Sequence, residues 1–138
     1  VVLGSFYLWG TINLYVASYF HKIDPEFSLE DSLIIYPLLA ITFHSAAPFS
    51  IKLCESLGFR FQMFLCLILM FCSFYFAVSF TTFWGFFFIF GVLFGISSGL
   101  SYLPPLYNAY KYFPNNRGLV SGFILGAHGF GSMIQVLF

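Results

Sequence analysis

The chain has 138 residues, of which 60% are hydrophobic, 24% aromatic and only 7% charged, whereas a soluble domain carries about a quarter charged residues. Five acidic and five basic side chains cannot cover a globule of this size without exposing more contiguous apolar surface than water tolerates, which excludes a water-soluble fold. A net charge of zero removes any electrostatic case for nucleic acid as a partner and leaves the lipid bilayer as the expected one.

The charged residues leave four uncharged runs, 1–20, 32–51, 61–110 and 118–138. A helix of about 20 residues crosses the ~30 Å hydrocarbon layer, so the third run holds two crossings with a turn between them. The expected fold is all-α, a polytopic transmembrane bundle of about five spans at roughly 1–20, 30–51, 60–79, 82–105 and 118–138. A barrel is not expected, because barrel strands alternate apolar and polar residues while the stretch 63–71 is apolar on every side. The chain starts at Val1 and stops at Phe138 without a polar tail, so both ends are expected to be cut from a longer protein. The first run has no basic leader and no small-residue cleavage site, so it does not read as a signal peptide.

The first connection holds Lys22 among Asp24, Glu26, Glu30 and Asp31, and Pro25 interrupts it. Ser28 followed three residues later by Asp31 is a capping box pattern that places the next helix start near Ser28. Lys52, Glu55 and Arg60 surround Gly58 in the second connection, and Lys111 and Arg117 surround Pro114, Asn115 and Asn116 in the fourth. The third, near 79–83, is uncharged, and Thr81 or Thr82 is placed to cap the fourth span. Basic short loops mark the cytoplasmic side, so the N-terminus is expected inside.

Span three carries Phe61, Phe64, Phe71, Phe74 and Phe76 and is expected to face lipid. Gly91, Gly95 and Gly99 recur every four residues in span four, as do Gly118, Gly122 and Gly126 in span five, a spacing that lets helix backbones approach closely. Pro104 and Pro105 predict a break or bend at the end of span four. Cys54, Cys66 and Cys72 are odd in number and follow no metal-ligand spacing, so they read as small apolar residues. No metal or cofactor is called for.

Two segments resemble a known family. Glu55, Gly58 and Arg60 are similar to the loop motif between spans two and three of the major facilitator superfamily, with Ile51 standing where the pattern has its leading glycine. The stretch Gly99, Tyr102, Tyr112, Phe113, Pro114, Asn115, Asn116, Arg117, Gly118, Ser121 and Gly122 resembles the span four to span five junction of the monocarboxylate and oxalate–formate branches. Trp9, Gly10 and Tyr15 resemble the same carriers more loosely. The resemblance implies the N-terminal half of a twelve-span carrier, five of its six spans, with a missing C-terminal half as partner and one substrate site between the halves, worked by alternating access. It also implies that Tyr102 lines that site, that Glu55, Gly58, Arg60 and Arg117 belong to a cytoplasmic gating motif, and that the substrate is a small organic anion whose counter-charge comes from the other half. Such a protein is a carrier and not an enzyme.

From the residues alone, no Asp, Glu, Lys or Arg falls inside a span, although intramembrane charge is the usual mark of a substrate or proton path. His44 and His128 are the titratable groups near mid-membrane, either as proton carriers or as single histidines bonded to a neighbouring carbonyl. Tyr7, Asn13 and Tyr15 in span one are further candidates. Asn13 and Tyr15 lie ~200° apart on a helix, so only one of them can face a central cavity. Trp9 and Trp84 read as packing or headgroup-boundary aromatics. A carrier of another solute, such as an amino acid, sugar or drug, and a polytopic sensor or scaffold without transport both remain open.

Overall fold

The structure is a computed structural model that describes residues 9–137. Among the described residues there is no strand. Helix α1 (Trp9–Ile23) leads into a short turn, a five-residue helix α2 (Leu29–Leu33) and the long α3 (Ile35–Leu57). A one-residue turn joins α3 to α4 (Phe59–Ser79). Then α5 (Phe83–Phe88), a π-helical turn at Ile89–Phe94 and α6 (Gly95–Tyr112) form one continuous rod, followed by α7 (Arg117–Leu137). Among the described residues, three segments are long and apolar enough to cross a membrane: Glu30–Leu57, Phe59–Ser79 and Phe83–Tyr112.

Local chemistry sets the boundaries. The Ser28 hydroxyl accepts from the Asp31 amide at 3.4 Å while the Asp31 carboxylate accepts from the Ser28 amide at 2.9 Å, closing the capping box. At the other end of α3, Gly58 has φ +82° and ψ +147°, a region open essentially to glycine alone. The chain can therefore reverse in one residue, which places Lys52 and Glu55 on the last turns of α3 and Arg60 on the first turn of α4 instead of in a loop. Gly58→Ala is expected to destabilise the fold by ~1–3 kcal/mol, read as a lowered melting temperature of the detergent-solubilised protein. Asparagine should not rescue it, because the left-handed helical region that asparagine tolerates has ψ near +47°.

The Phe83–Tyr112 rod is the axis on which α3 and α4 pack. Its aromatic face stacks along the helix, with Phe86 on Phe90 at 5.2 Å and Phe90 on Phe94 at 5.0 Å between ring centroids. Trp9, Ile35, Leu39, Met70, Ala77 and Phe87 close the core around this stack. Helix α4 buries the stripe Gln62, Cys66, Met70, Ser73 and Ala77 and exposes Phe61, Phe64, Phe71 and Phe76, as a lipid-facing helix does, whereas Phe74, also expected to face lipid, packs one side of its ring against Phe90 and Phe94. The cysteines are free, Cys54 and Cys66 buried.

Along the Phe83–Tyr112 rod, a side chain at Gly91 would strike the Leu38 side chain, one at Gly95 the Thr42 hydroxyl, and one at Gly99 the Phe43 carbonyl oxygen. The span four ladder is thus the surface on which α3 lies. Its close approach brings the Thr42 hydroxyl within 2.9 Å of the Gly91 carbonyl inside the π-helical turn. Helix α6 runs through Pro104 and Pro105 to Tyr112, beyond the expected end of span four at residue 105.

Candidate functional site

Helices α3, α6 and α7 converge on three rings. Phe43 and Tyr102 lie with ring centroids 5.4 Å apart, and Tyr102 and His128 5.7 Å apart. Gly99, one turn before Tyr102, makes this possible by letting the Phe43 backbone approach α6. Tyr102 and His128 are half-buried. Together they offer ring faces, a phenol hydroxyl and an imidazole, which can donate and accept hydrogen bonds but carry no fixed charge.

The other candidates lie elsewhere. His44 follows Phe43 but is exposed, its Nδ1 2.7 Å from the Ala40 carbonyl. Asn13 is 7% exposed and faces the core, while Tyr15 is 73% exposed on the opposite face of α1. Tyr15 lines a cleft of about 310 Å³ with Tyr19, Ala77, Val78 and Phe86. Phe86 and Tyr102 are sixteen residues apart on one rod, roughly 24 Å along its axis, so a small ligand at Tyr102 does not touch Tyr15 in this arrangement. Tyr7 lies outside the described residues. Trp9 is buried against Phe86 and Phe90, and Trp84 is exposed.

A second cluster occupies the ends of α3 and α6 near the Gly58 turn. The Tyr107 hydroxyl donates to Glu55 Oε1 at 2.6 Å, and Lys111 Nζ sits 4.6 Å from the Tyr107 ring centre. Arg117 lies 6.0 Å from the Tyr110 ring, and the Tyr110 hydroxyl pairs with Ser121 on α7. Arg60 is exposed on α4. Sequence reasoning singled out Glu55 and Arg117 but not the two tyrosines that hold this corner together. Tyr107 stands four residues before Lys111, a spacing at which a helix brings two side chains together, whereas Tyr110 meets Arg117 and Ser121 with no such local sign.

Glycines 118, 122 and 126 differ from those of the Phe83–Tyr112 rod. A side chain at any of them meets nothing within 4 Å, so that face of α7 is open in this chain.

The sequence profile described as Major Facilitator Superfamily matches residues 1–138. The chain belongs to the major facilitator superfamily. An uncharacterized MFS-type transporter, YhjX, of Escherichia coli (strain K12) is 29% identical over 131 residues, which are 95% of this chain and 31% of that relative. The chain therefore spans about a third of the length of the curated relative it matches. No solved structure matches it at a significant level. Major facilitator proteins are membrane transporters, and membership together with helices long and apolar enough to cross a bilayer makes this an integral, multi-pass membrane protein.

Proposed function

We propose that the protein is a secondary carrier of small organic anions, of monocarboxylate or oxalate/formate type, in which this chain supplies five spans of an N-terminal bundle, at roughly 1–20, 30–51, 60–79, 82–105 and 118–138. The basic residues flanking Gly58 and Pro114 support a cytoplasmic N-terminus, and the substrate sits between this bundle and a second one that rocks against it. The observation that carries the reading is the meeting of Phe43, Tyr102 and His128 where α3, α6 and α7 converge. Tyr102 and His128 supply hydrogen bonds there, and the anion's counter-charge comes from a basic residue in a later span. Glu55, held by Tyr107, and Arg117 act at the cytoplasmic gate.

The test is uptake of labelled formate, lactate and oxalate into vesicles containing the full-length protein. Saturable uptake of one of them is expected, with Tyr102→Ala lowering it about tenfold at subsaturating substrate, equivalent to roughly 1.4 kcal/mol of lost interaction. Unchanged uptake in that variant removes Tyr102 from the site.

None of the three rings belongs to an Asp, Glu, Lys or Arg, which favours a second reading, a carrier of a neutral solute. A later span without any Arg or Lys, together with uptake of an amino acid or sugar and of none of the three anions, would select it.

A further inference from the structure

Pro104 lies inside α6. In a helix the amide of residue 104 bonds the carbonyl of residue 100, so a proline there leaves the Leu100 oxygen without its helical partner. Within a membrane that oxygen has to be met by another protein group. The group is on another helix: Gln62 Nε2 of α4 lies 2.9 Å from the Leu100 oxygen and 3.0 Å from the Ser50 oxygen of α3. Two carbonyl acceptors can be served only by the two hydrogens of an amide NH2, so the partners fix which way the Gln62 amide points. Gln62 is fully buried, and its Oε1 has no hydrogen-bond partner among the described residues. A buried oxygen in that condition is unfavourable, and the rest of its stripe on α4 is Cys66, Met70, Ser73 and Ala77. What favours an amide at this position is the pair of bonds it donates.

We propose that Gln62 supplies the hydrogen bond that Pro104 deletes, tying the proline-weakened stretch of α6 to α3 and α4. Leu100 is two residues from Tyr102, so the tie makes Gln62 a positioning residue for the Tyr102 ring. That consequence rests on Tyr102 being a substrate contact, whereas the hydrogen-bond replacement stands without it.

The two can be separated in the full-length protein with Gln62→Met, which keeps length and removes the donors, made alone and with Pro104→Ala, which restores the helical amide. In detergent, Gln62→Met should lower Tm by about 3 °C in the natural background and by less than about 1 °C beside Pro104→Ala. The same pattern should appear in vesicle uptake of the transported anion, reduced in the single variant and recovered in the double. An equal drop in Tm in both backgrounds overturns the proposal, because Gln62 then acts by packing alone. Should Gln62→Met not fold by itself, recovery of folded protein by Pro104→Ala supports the tie and failure to recover overturns it. Coupled melting with uptake indifferent to Tyr102→Ala would support the hydrogen-bond replacement and overturn only the role given to Tyr102.

Discussion

Replacing Gly99 by alanine is expected to destabilise the protein by about 2 kcal/mol, although alanine is the better helix former by ~1 kcal/mol. The new methyl group would overlap the Phe43 carbonyl oxygen and stand 3.0 Å from Ala46 Cβ. Both belong to α3 and neither can rotate away. Overpacking of this kind costs ~1–3 kcal/mol, and a backbone obstacle puts it at the upper end, enough to outweigh the propensity gain. Gly95→Ala should be comparable, because it meets the stiff, β-branched Thr42 and the Leu39 carbonyl oxygen at 3.2 Å. Gly91→Ala should be milder, since the Leu38 side chain can adopt another rotamer. Gly122→Ala provides the control of opposite sign: with nothing within 4 Å, only the helix propensity remains and a gain of up to ~1 kcal/mol is expected. The measurement is the unfolding free energy of the detergent-solubilised full-length protein. A gain at Gly99 would show that α3 does not lie against α6 as closely as the structure has it. A loss at Gly122 would show that another part of the protein packs on that face of α7.

The contrast between the two ladders explains how far residues alone could be read. Both have the same four-residue spacing, which signals close helix approach. Spacing does not name the partner, however, and in this chain α3 fills the first ladder while the second faces open space. The membrane helices, the Ser28 capping box and the lipid-facing phenylalanines of α4 were legible because each depends on neighbours within a turn or two of one helix. The partners that matter most at the candidate site are far apart in the chain. Phe43 meets Tyr102 across two helices, Tyr107 reaches Glu55 across 52 residues, and Gln62 reaches Leu100 across 38. A lone glutamine in an apolar helix carries no local sign of an acceptor created by a proline elsewhere. The break expected at Pro104 is not seen: α6 runs on to Tyr112, and the Leu100 oxygen that the proline leaves unpaired within the helix is met by a side chain from α4. The π-helical turn at Ile89–Phe94 had no sequence signal either. It coincides with the Phe90 and Phe94 stack and with the Thr42 hydroxyl at the Gly91 carbonyl, both products of packing.

Truncating Phe94 tests that packing most directly. Phe94 is fully buried, stacked on Phe90 and met edge-on by Phe74 at 5.2 Å. In a water-soluble core, Phe→Ala at such a position costs ~3–5 kcal/mol. Part of that figure is transfer of the ring from water, and it shrinks here because the separated helices are themselves surrounded by hydrocarbon. The cavity and the lost dispersion contacts remain, together with two aromatic pairs worth ~0.5–1.5 kcal/mol each, so Phe94→Ala is expected to cost about 2–3 kcal/mol. Phe71, 67% exposed on the outer face of α4, supplies the comparison. Its truncation exchanges ring-to-lipid contact for alanine-to-lipid contact and should stay within ~0.5 kcal/mol of the parent. Unfolding in detergent, followed by far-ultraviolet circular dichroism, gives both values. Equal losses at Phe71 and Phe94 would mean that α4 turns its phenylalanine face to protein and not to lipid. A negligible loss at Phe94 would mean that the aromatic stack does not hold the central rod against α4, leaving the glycine contacts with α3 as the main support of the segment that presents Tyr102.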